Sequence, residues 1–362
     1  MKKSMLALAA LTAFAGAASA QSSVTLFGIL DVDARSVSNG SAGSLKTLGT
    51  NGQASSRLGF RGVEDLGGGL RAAFWLEGDI SPDTGGGNKT AATAVGSTAD
   101  PMTWTRRATV GLLGGFGEIR LGRDYTPTFV NLSTYDMFGY VGVSSIANLR
   151  GTFLASGGAG TGVRANNTIS YFLPAMGGLY GQGMVAASEG VAGNKYVGGR
   201  VGYAAGPVNV SVAFGKTYQG YTMIDDLKTK SVGASFNAGF LTVQGSVEQS
   251  DYSTTNQRLM SGGVLIPVGS GTIKLNYTRA TGSSDAFQAN LLGAGYVYDL
   301  SKRTSVYVGY GRITNGGSEA SLIGARYTAS SGGPAISNAA GVRVMKLGET
   351  STGYDVGVRH NF

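Results

Sequence analysis

The stretch SRLGFRGVEDLGGGLRAAFWLEGD, residues 56–79, decides the fold class, because it reads as two amphipathic strands around a glycine turn. In its second half, apolar and polar side chains alternate with a period of two. One face carries Leu70, Ala72, Phe74 and Leu76, and the opposite face carries Arg71, Trp75, Glu77 and Asp79. The glycines between the halves open a second strand and no helix, which excludes a phosphate-binding loop. The pattern predicts a β-hairpin with one apolar and one polar face.

The same alternation recurs along the chain and gives sixteen candidate strands, the first at 23–34 and the last at 351–362. Short glycine-rich turns alternate with long segments, notably 35–54, 81–102, 124–163 and 313–350. Alternating short and long connections are typical of a barrel with periplasmic turns and extracellular loops. We therefore expect an all-β protein. Its fold would be a transmembrane antiparallel up-and-down β-barrel of 16 strands, in one domain over residues 21–362.

Composition agrees with export and with a barrel. The chain has 61 glycines, 7 prolines, no cysteine and a mean hydropathy of +0.05, as expected where half of each strand faces lipid and half faces water. Lys2 and Lys3, an apolar stretch and the triplet Ala18-Ser19-Ala20 form a signal peptide, residues 1–20, with cleavage after Ala20. After it, no window approaches the roughly 18 apolar residues of a membrane-spanning helix. These features predict the outer membrane of a Gram-negative bacterium.

The C-terminus carries a specific local signal. One face of the last candidate strand holds Tyr354, Val356, Val358, His360 and the terminal Phe362. A final strand that ends in an aromatic residue is similar to the insertion signal that the outer-membrane assembly machinery reads. The alternative is a chance phenylalanine on an edge strand.

Several segments together resemble the beta-proteobacterial general porins of the Neisseria and Burkholderia type. They span the chain in family order: VTLFG at 24–28, the hairpin at 56–79, FGEIRLGRD at 116–124, RANNTISY at 164–171, LSKRT at 300–304 and GVRHNF at 357–362. The resemblance implies a sixteen-stranded barrel, a homotrimer and a third extracellular loop folded into the lumen.

The segment 124–163 matches that inward loop. It is too long for a hairpin connection, and a connection of such length usually has a function. Thr126 as N-cap and Pro127 at the first helical position predict a helix start. The charged residues of this predicted constriction loop are Asp124, Asp136 and Arg150.

Arginines accumulate on the polar faces of the first half of the barrel: Arg57, Arg61, Arg71, Arg106 or Arg107, Arg120 and Arg164. Because arginine is always charged and costly on a lipid-facing surface, we expect these side chains to line the water-filled lumen and attract anions. Resemblance and strand parity place Arg57, Arg106 and Arg164 near the constriction. Adjacent Arg106 and Arg107 cannot both point inward on a regular strand. The alternative is that several arginines form ion pairs with wall carboxylates, including Glu64, Glu77, Asp79 and Glu118.

The sequence therefore predicts a general porin, a water-filled channel for small hydrophilic solutes with a preference for anions. Outer-membrane lipid and lipopolysaccharide would surround it. We expect no cofactor, no metal and no catalytic residue, because His360 is the one histidine and cysteine is absent. Two alternatives are a substrate-specific channel for organic anions or phosphate and a barrel enzyme. Nucleic-acid binding is disfavoured, because the basic residues are dispersed along strand faces.

Overall fold

The computed structural model describes residues 23–87, 103–150, 161–219, 225–283, 288–316, 335–338, 341–345 and 348–362. The predicted signal peptide at 1–20 lies outside the described residues, as does much of the predicted loops 81–102 and 313–350.

The described part of the chain is dominated by β-strands. They are β1 (Ser23–Asn39), β2 (Ser44–Thr50), β3 (Arg57–Gly67), β4 (Leu70–Asp79), β5 (Arg107–Gly114), β6 (Gly117–Tyr125), β7 (Arg164–Phe172), β8 (Leu179–Ala186), β9 (Tyr196–Ala205), β10 (Val208–Thr217), β11 (Leu227–Asn237), β12 (Thr242–Tyr252), β13 (Thr255–Val268), β14 (Gly271–Gly282), β15 (Ala289–Asp299), β16 (Thr304–Asn315), β17 (Ala335–Asn338), β18 (Gly341–Val344) and β19 (Thr350–Asn361). The helical elements are α1 (Pro127–Thr134), one short 3₁₀ turn, Gly40–Ala42, and a helical stretch at 147–150 within the connection between β6 and β7. No helix in the described residues is long and apolar enough to cross a bilayer.

The strands close into a barrel. Each pairs antiparallel with its neighbours, and β1 pairs with β19 from Ile29↔Asn361 to Asn39↔Ser351. Strands β2 and β3 pair with successive parts of β1 and so share one place in the wall. Strands β17 and β18 form a separate hairpin, so the described wall has sixteen strand positions. The prediction of a 16-stranded antiparallel barrel is confirmed, and closure leaves no strand edge unpaired in lipid.

One predicted loop is largely β-structure. The segment 35–54 contains the end of β1 and all of β2, which pair from Val32↔Thr50 to Ser38↔Ser44. This hairpin was not predicted from the sequence, because it contains many glycines and short polar residues. The hairpin forms because β3 covers only Ser23–Ile29 of β1, so β2 supplies the hydrogen-bond partners for the remainder.

The faces of the wall are inverted relative to a soluble protein. Apolar side chains such as Val24 (68 % exposed) and Val356 (59 % exposed) point outward. Small polar side chains such as Ser211, Ser231 and Thr278 are buried inside. This is the arrangement that a lipid exterior and a polar interior require.

The connection between β6 and β7 folds into the barrel, which confirms the inward third loop. Helix α1 begins as predicted, with Thr126 in an extended conformation at the N-cap and Pro127 at the first position. Asn131 donates to Ser231 Oγ at 2.9 Å, Asn276 donates to the Ser144 carbonyl at 2.9 Å, and Gln257 donates to the Leu149 carbonyl at 3.2 Å. The loop is therefore bonded to β11, β13 and β14.

An apolar core inside the barrel holds the loop against the wall. It combines loop residues with inward side chains of β13, β15 and β16, and consists chiefly of Leu132, Val143, Ile146, Leu149, Leu259, Leu291 and Ile313. Two wall glycines permit the close approach. A Cβ at Gly233 would overlap the Tyr135 ring, and a Cβ at Gly311 would overlap the Val143 carbonyl oxygen.

Candidate functional site

A cavity of about 890 Å³ lies between the inward loop and the wall of β1 to β7. Tyr125, Phe129 and Tyr140 supply its aromatic lining. Among the described residues that line it, the charged side chains are four arginines and two aspartates: Arg35, Arg57, Arg106, Arg164, Asp79 and Asp83. The structure thus brings together Arg57, Arg106 and Arg164, which come from three different parts of the sequence.

Arg106 is the most heavily bonded member of this cluster. Its Nε donates to Glu77 Oε1 at 2.5 Å, its Nη1 to Asp79 Oδ1 at 2.8 Å and its Nη2 to Tyr125 Oη at 2.7 Å. The residue is 6 % exposed. Because two carboxylates balance one buried guanidinium, Arg106 contributes little net positive charge and serves mainly as the structural centre of the cluster.

Arg57 and Arg164 are bonded less fully. Arg57 Nη1 lies 3.4 Å from Glu77 Oε1, beyond the range of a strong charged hydrogen bond. Arg164 donates from Nη2 to Tyr125 Oη at 3.0 Å and has no carboxylate partner among the described residues. Its buried Nε has no hydrogen-bond partner in that part of the chain. The unbalanced positive charge of the cluster therefore lies on these two arginines.

Tyr125 connects the wall to the loop. Its hydroxyl oxygen accepts from both Arg106 and Arg164, and its ring stacks on Phe129 at 5.2 Å between centroids. Phe129 meets Tyr140 edge-on at 5.0 Å. Sequence reasoning missed Tyr125 and also Arg35, which pairs with Asp33 at 2.5 Å. Tyr125 is the last residue of a strand and directly precedes the long loop, and this position could have marked it as a candidate site residue.

Arg106 and Arg107 both face the interior. Arg107 is the first residue of β5, with its guanidinium 4.5 Å from the Trp75 ring centroid and its Nε 3.5 Å from Asp124 Oδ1. Arg106 precedes the strand and bonds to Glu77 and Asp79. The rule that neighbours on a regular strand face opposite ways is correct. It does not apply here, because Arg106 is not part of the strand.

The other predicted arginines lie away from this cavity. Arg61 is exposed on β3, with its guanidinium 5.3 Å and 5.2 Å from the Phe27 and Trp75 ring centroids. Arg120 pairs with Glu118 at 2.8 Å and with Asp124 at 2.6 Å. Arg71 is exposed next to the β3–β4 turn.

The three charged residues assigned to the constriction loop have structural contacts instead of open positions. Asp124 belongs to β6 and not to the loop, where it pairs with Arg120. Asp136 accepts from the backbone N–H groups of Phe138 and Tyr140 and from the Ser145 hydroxyl, and burial raises the pKa of its carboxyl group.

Arg150 is fully buried, at 1 % exposure, and its Nε donates to Glu248 Oε1 at 2.5 Å. It also donates from Nη1 to the Gly162 carbonyl at 2.9 Å. This ion pair ties the far end of the loop to β12.

The terminal Phe362 joins the two ends of the barrel wall. Its backbone N–H donates to the Gly28 carbonyl at 3.1 Å, and the Gly28 N–H donates back at 3.1 Å. Its ring covers the position that a Cβ on Gly28 would occupy. The last residue is thereby packed against β1.

Comparisons with known proteins agree with this architecture. A model of the Gram-negative porin family matches residues 7–318. The outer membrane porin protein 32 of Delftia acidovorans is 38 % identical over 100 % of both chains. The major outer membrane protein P.IB of Neisseria meningitidis serogroup A is 26 % identical, covering 89 % of this chain and 96 % of that protein.

Among solved structures, an anion-selective porin from Comamonas acidovorans has a TM-score of 0.78 and 36 % identity, covering 94 % of this chain and 100 % of that one. The sequence, the closed sixteen-position barrel and the inward loop therefore agree: the chain belongs to the Gram-negative porin family and forms an outer-membrane channel.

Proposed function

We propose that this porin is a general diffusion channel that prefers small anions, and that Arg57 and Arg164 carry most of the preference. The supporting observation is the weak pairing of two cavity arginines: Arg164 has no carboxylate partner among the described residues, and Arg57 reaches Glu77 only at 3.4 Å. The Comamonas porin that shares the fold is described as anion-selective, which supports the same assignment here.

The charges that line the cavity act on passing ions by electrostatic attraction over a short range, and no covalent step is involved. A diffusing anion exchanges part of its hydration for guanidinium and hydroxyl donors, and a wet, weakly binding site lets it leave again. At physiological ionic strength the Debye length is about 8 Å, so wall charges are felt across a passage of this size. The channel passes solutes without transforming them, and no residue is assigned a catalytic, cofactor-binding or metal-binding role.

Reversal potentials in planar bilayers under a salt gradient test this proposal. Replacing Arg57 and Arg164 together by glutamine removes two cations while retaining polar side chains of similar length. We expect the reversal potential to move towards zero. Arg279→Gln, on the outside of the barrel, is a matched control that leaves it unchanged. Full anion preference in R57Q/R164Q would contradict the proposal.

A second candidate is a channel with a binding step for organic anions or phosphate. It is favoured by the buried Nε of Arg164, which has no hydrogen-bond partner among the residues that the structure describes and lies beside the Tyr125 hydroxyl, because this donor set suits a carboxylate or phosphate oxygen. Succinate or phosphate should then interrupt chloride current at millimolar concentration in the wild type and not in Arg164→Gln. Unperturbed current in the wild type leaves the general channel as the function.

The finer features of assembly are also proposals. Residues 1–20 serve as a signal peptide, residues 21–362 form a single domain with the connection 126–163 as its constriction loop, and Phe362 is read by the assembly machinery. The porin forms a homotrimer through the outer faces of β1 and β19, which carry residues such as Leu26, Tyr354 and Val358 and no formal charge. Lipopolysaccharide surrounds the remaining wall.

A further inference from the structure

A second group of cations points away from the lumen. On β11, the inward positions are Thr229, Ser231 and Gly233, since Ser231 bonds to loop residue Asn131 and Gly233 lies under Tyr135. Lys230 has the opposite parity and is exposed on the outside.

The same reasoning assigns two arginines to the outer face. Gln257 on β13 bonds to the loop from inside, so Arg258 points outward. Asn276 on β14 bonds to the Ser144 carbonyl from inside, so Arg279 points outward. Both arginines are exposed.

These three cations are neighbours on the outer face. Lys230 is paired with Gln249, and Gln249 is paired with Arg258, so the two bases are separated by two strand spacings of about 4.8 Å each. Arg279 is opposite Met260, two residues along β13 from Arg258. Among the described residues, none of the three bases makes an ion pair. Asp251, the acid nearby on this face, accepts from Gln249 Nε2 at 2.9 Å.

Apolar grooves lie directly beside the basic group. One, of about 850 Å³, is lined by Val212, Phe214, Val232 and Val247 and reaches Lys230 and Arg258. An adjacent groove of about 560 Å³ shares Val232 and Val247 and reaches Arg279. Gly245 and Gly262 lie along the second groove, and a Cβ at Gly262 would meet only open space. The surface therefore combines anion-binding donors with slots for hydrocarbon chains.

The position of the bases along the strands is also informative. Each is the fourth residue from the loop-side end of its strand, counted from Leu227, Thr255 or Gly282. An arginine or lysine at the bilayer midplane costs about 2–4 kcal/mol, but close to none at the interface. The bases therefore occupy the level at which lipid phosphates meet acyl chains, on the extracellular side.

The geometry points to a docking site for a phosphorylated lipid of the extracellular leaflet, whose phosphates bind Lys230, Arg258 and Arg279 and whose acyl chains occupy the two grooves. This inference rests on the proposed contact with lipopolysaccharide and assigns it a place on the barrel. A second copy of the chain is the weaker occupant, because the uncharged faces of β1 and β19 brought against these bases would supply no carboxylate.

Titration of the detergent-solubilised, delipidated porin with lipid A, followed by native mass spectrometry, tests the site. The probes are bis-phosphorylated lipid A, the same lipid without phosphates, and inorganic phosphate. Each base near anionic lipid contributes roughly fivefold to affinity, so K230Q/R258Q/R279Q should bind phosphorylated lipid A on the order of 100-fold more weakly. The charge-preserving variant K230R/R258K/R279K should retain binding.

Three results would overturn the inference. The first is binding of lipid A to the triple glutamine variant as tight as to the wild type. The second is binding of the dephosphorylated lipid or of inorganic phosphate as tight as that of lipid A. The third is a changed subunit number in the variant with unchanged lipid binding. Heat-modifiable migration on mild detergent gels checks that the variant is folded. Its reversal potential should equal that of the wild type, so failure here is distinguishable from failure of the proposed anion preference.

Discussion

The inner arginine cluster and the outer basic group place similar side chains on opposite faces of one wall. Inside, Arg106 bonds to two carboxylates and a tyrosine. Outside, Lys230 and Arg258 stand beside apolar grooves with no ion pair among the described residues. The difference shows that cation count alone does not assign function. The inner group positions charge along a water path, whereas the outer group offers its charge to lipid.

The two regions also differ in which side chains the wall presents to the interior of the barrel. Near the loop-side ends of β13, β15 and β16, the apolar side chains Leu259, Leu291 and Ile313 point inward. The inner face of the wall is apolar there instead of polar, because the inward loop covers it and makes it a dry core.

The largest effect on stability is expected from breaking the buried ion pair between Arg150 and Glu248. Glu248→Gln leaves the Arg150 guanidinium buried without a countercharge, and loss of one partner of such a pair costs about 3–5 kcal/mol. Thermal unfolding followed by heat-modifiable gel migration should show a lower midpoint. Asp251→Asn, on the same strand but on the outer face, is the matched control and should change the midpoint little. Equal stability of E248Q and the wild type would mean that the pair does not anchor the loop.

A second prediction concerns the sign of the electrostatic potential that the inner arginine cluster creates in the lumen. Replacing Arg57, Arg106 and Arg164 together by glutamine leaves Glu77 and Asp79 without their cations. We expect reversal potentials to pass beyond zero to a cation preference, a larger shift than R57Q/R164Q produces. If the triple variant remains anion-selective at low salt, the remaining lumen bases Arg61, Arg71 and Arg120 become the candidates.

The anion preference set by the inner arginine cluster should depend on ionic strength. The Debye length falls from about 10 Å at 0.1 M to about 3 Å at 1 M salt, so anion preference set by the inner cluster should weaken steadily over that range. The measurement is the permeability ratio at a fixed concentration gradient. A ratio independent of salt would indicate selection by direct binding instead of by the wall field.

The smallest inner effect is expected at Tyr125. Tyr125→Phe removes the oxygen that accepts from Arg106 and Arg164 but no charge, so reversal potentials should be unchanged. Loss of this acceptor costs about 1–3 kcal/mol if the donors stay buried and less if water reaches them. A thermal midpoint equal to that of the wild type would show that water replaces the hydroxyl.

Much of the barrel could be predicted from particular residues. The period of two in 56–79 placed Phe74 and Glu77 on opposite faces of the wall, and counting such segments gave the correct number of wall positions. Thr126 and Pro127 marked the start of α1. The β2 hairpin was missed because the glycines and asparagines of 35–54 carry a weak strand signal. Arg106 was assigned to the lumen, but the inward position of Arg107 beside it was not foreseen, because the start of β5 could not be placed to one residue.

By itself, the sequence determined the closed β-architecture and the face on which each strand residue lies, because backbone geometry forces successive side chains to opposite sides. Only the tertiary structure decided which charges are balanced. Strand register and the path of the loop determine that Arg150 pairs with Glu248 and that Arg106 pairs with Glu77 and Asp79. They also determine that Lys230 has no ion pair within the described part of the chain. Those contacts join residues far apart in the chain, and no local pattern encodes them.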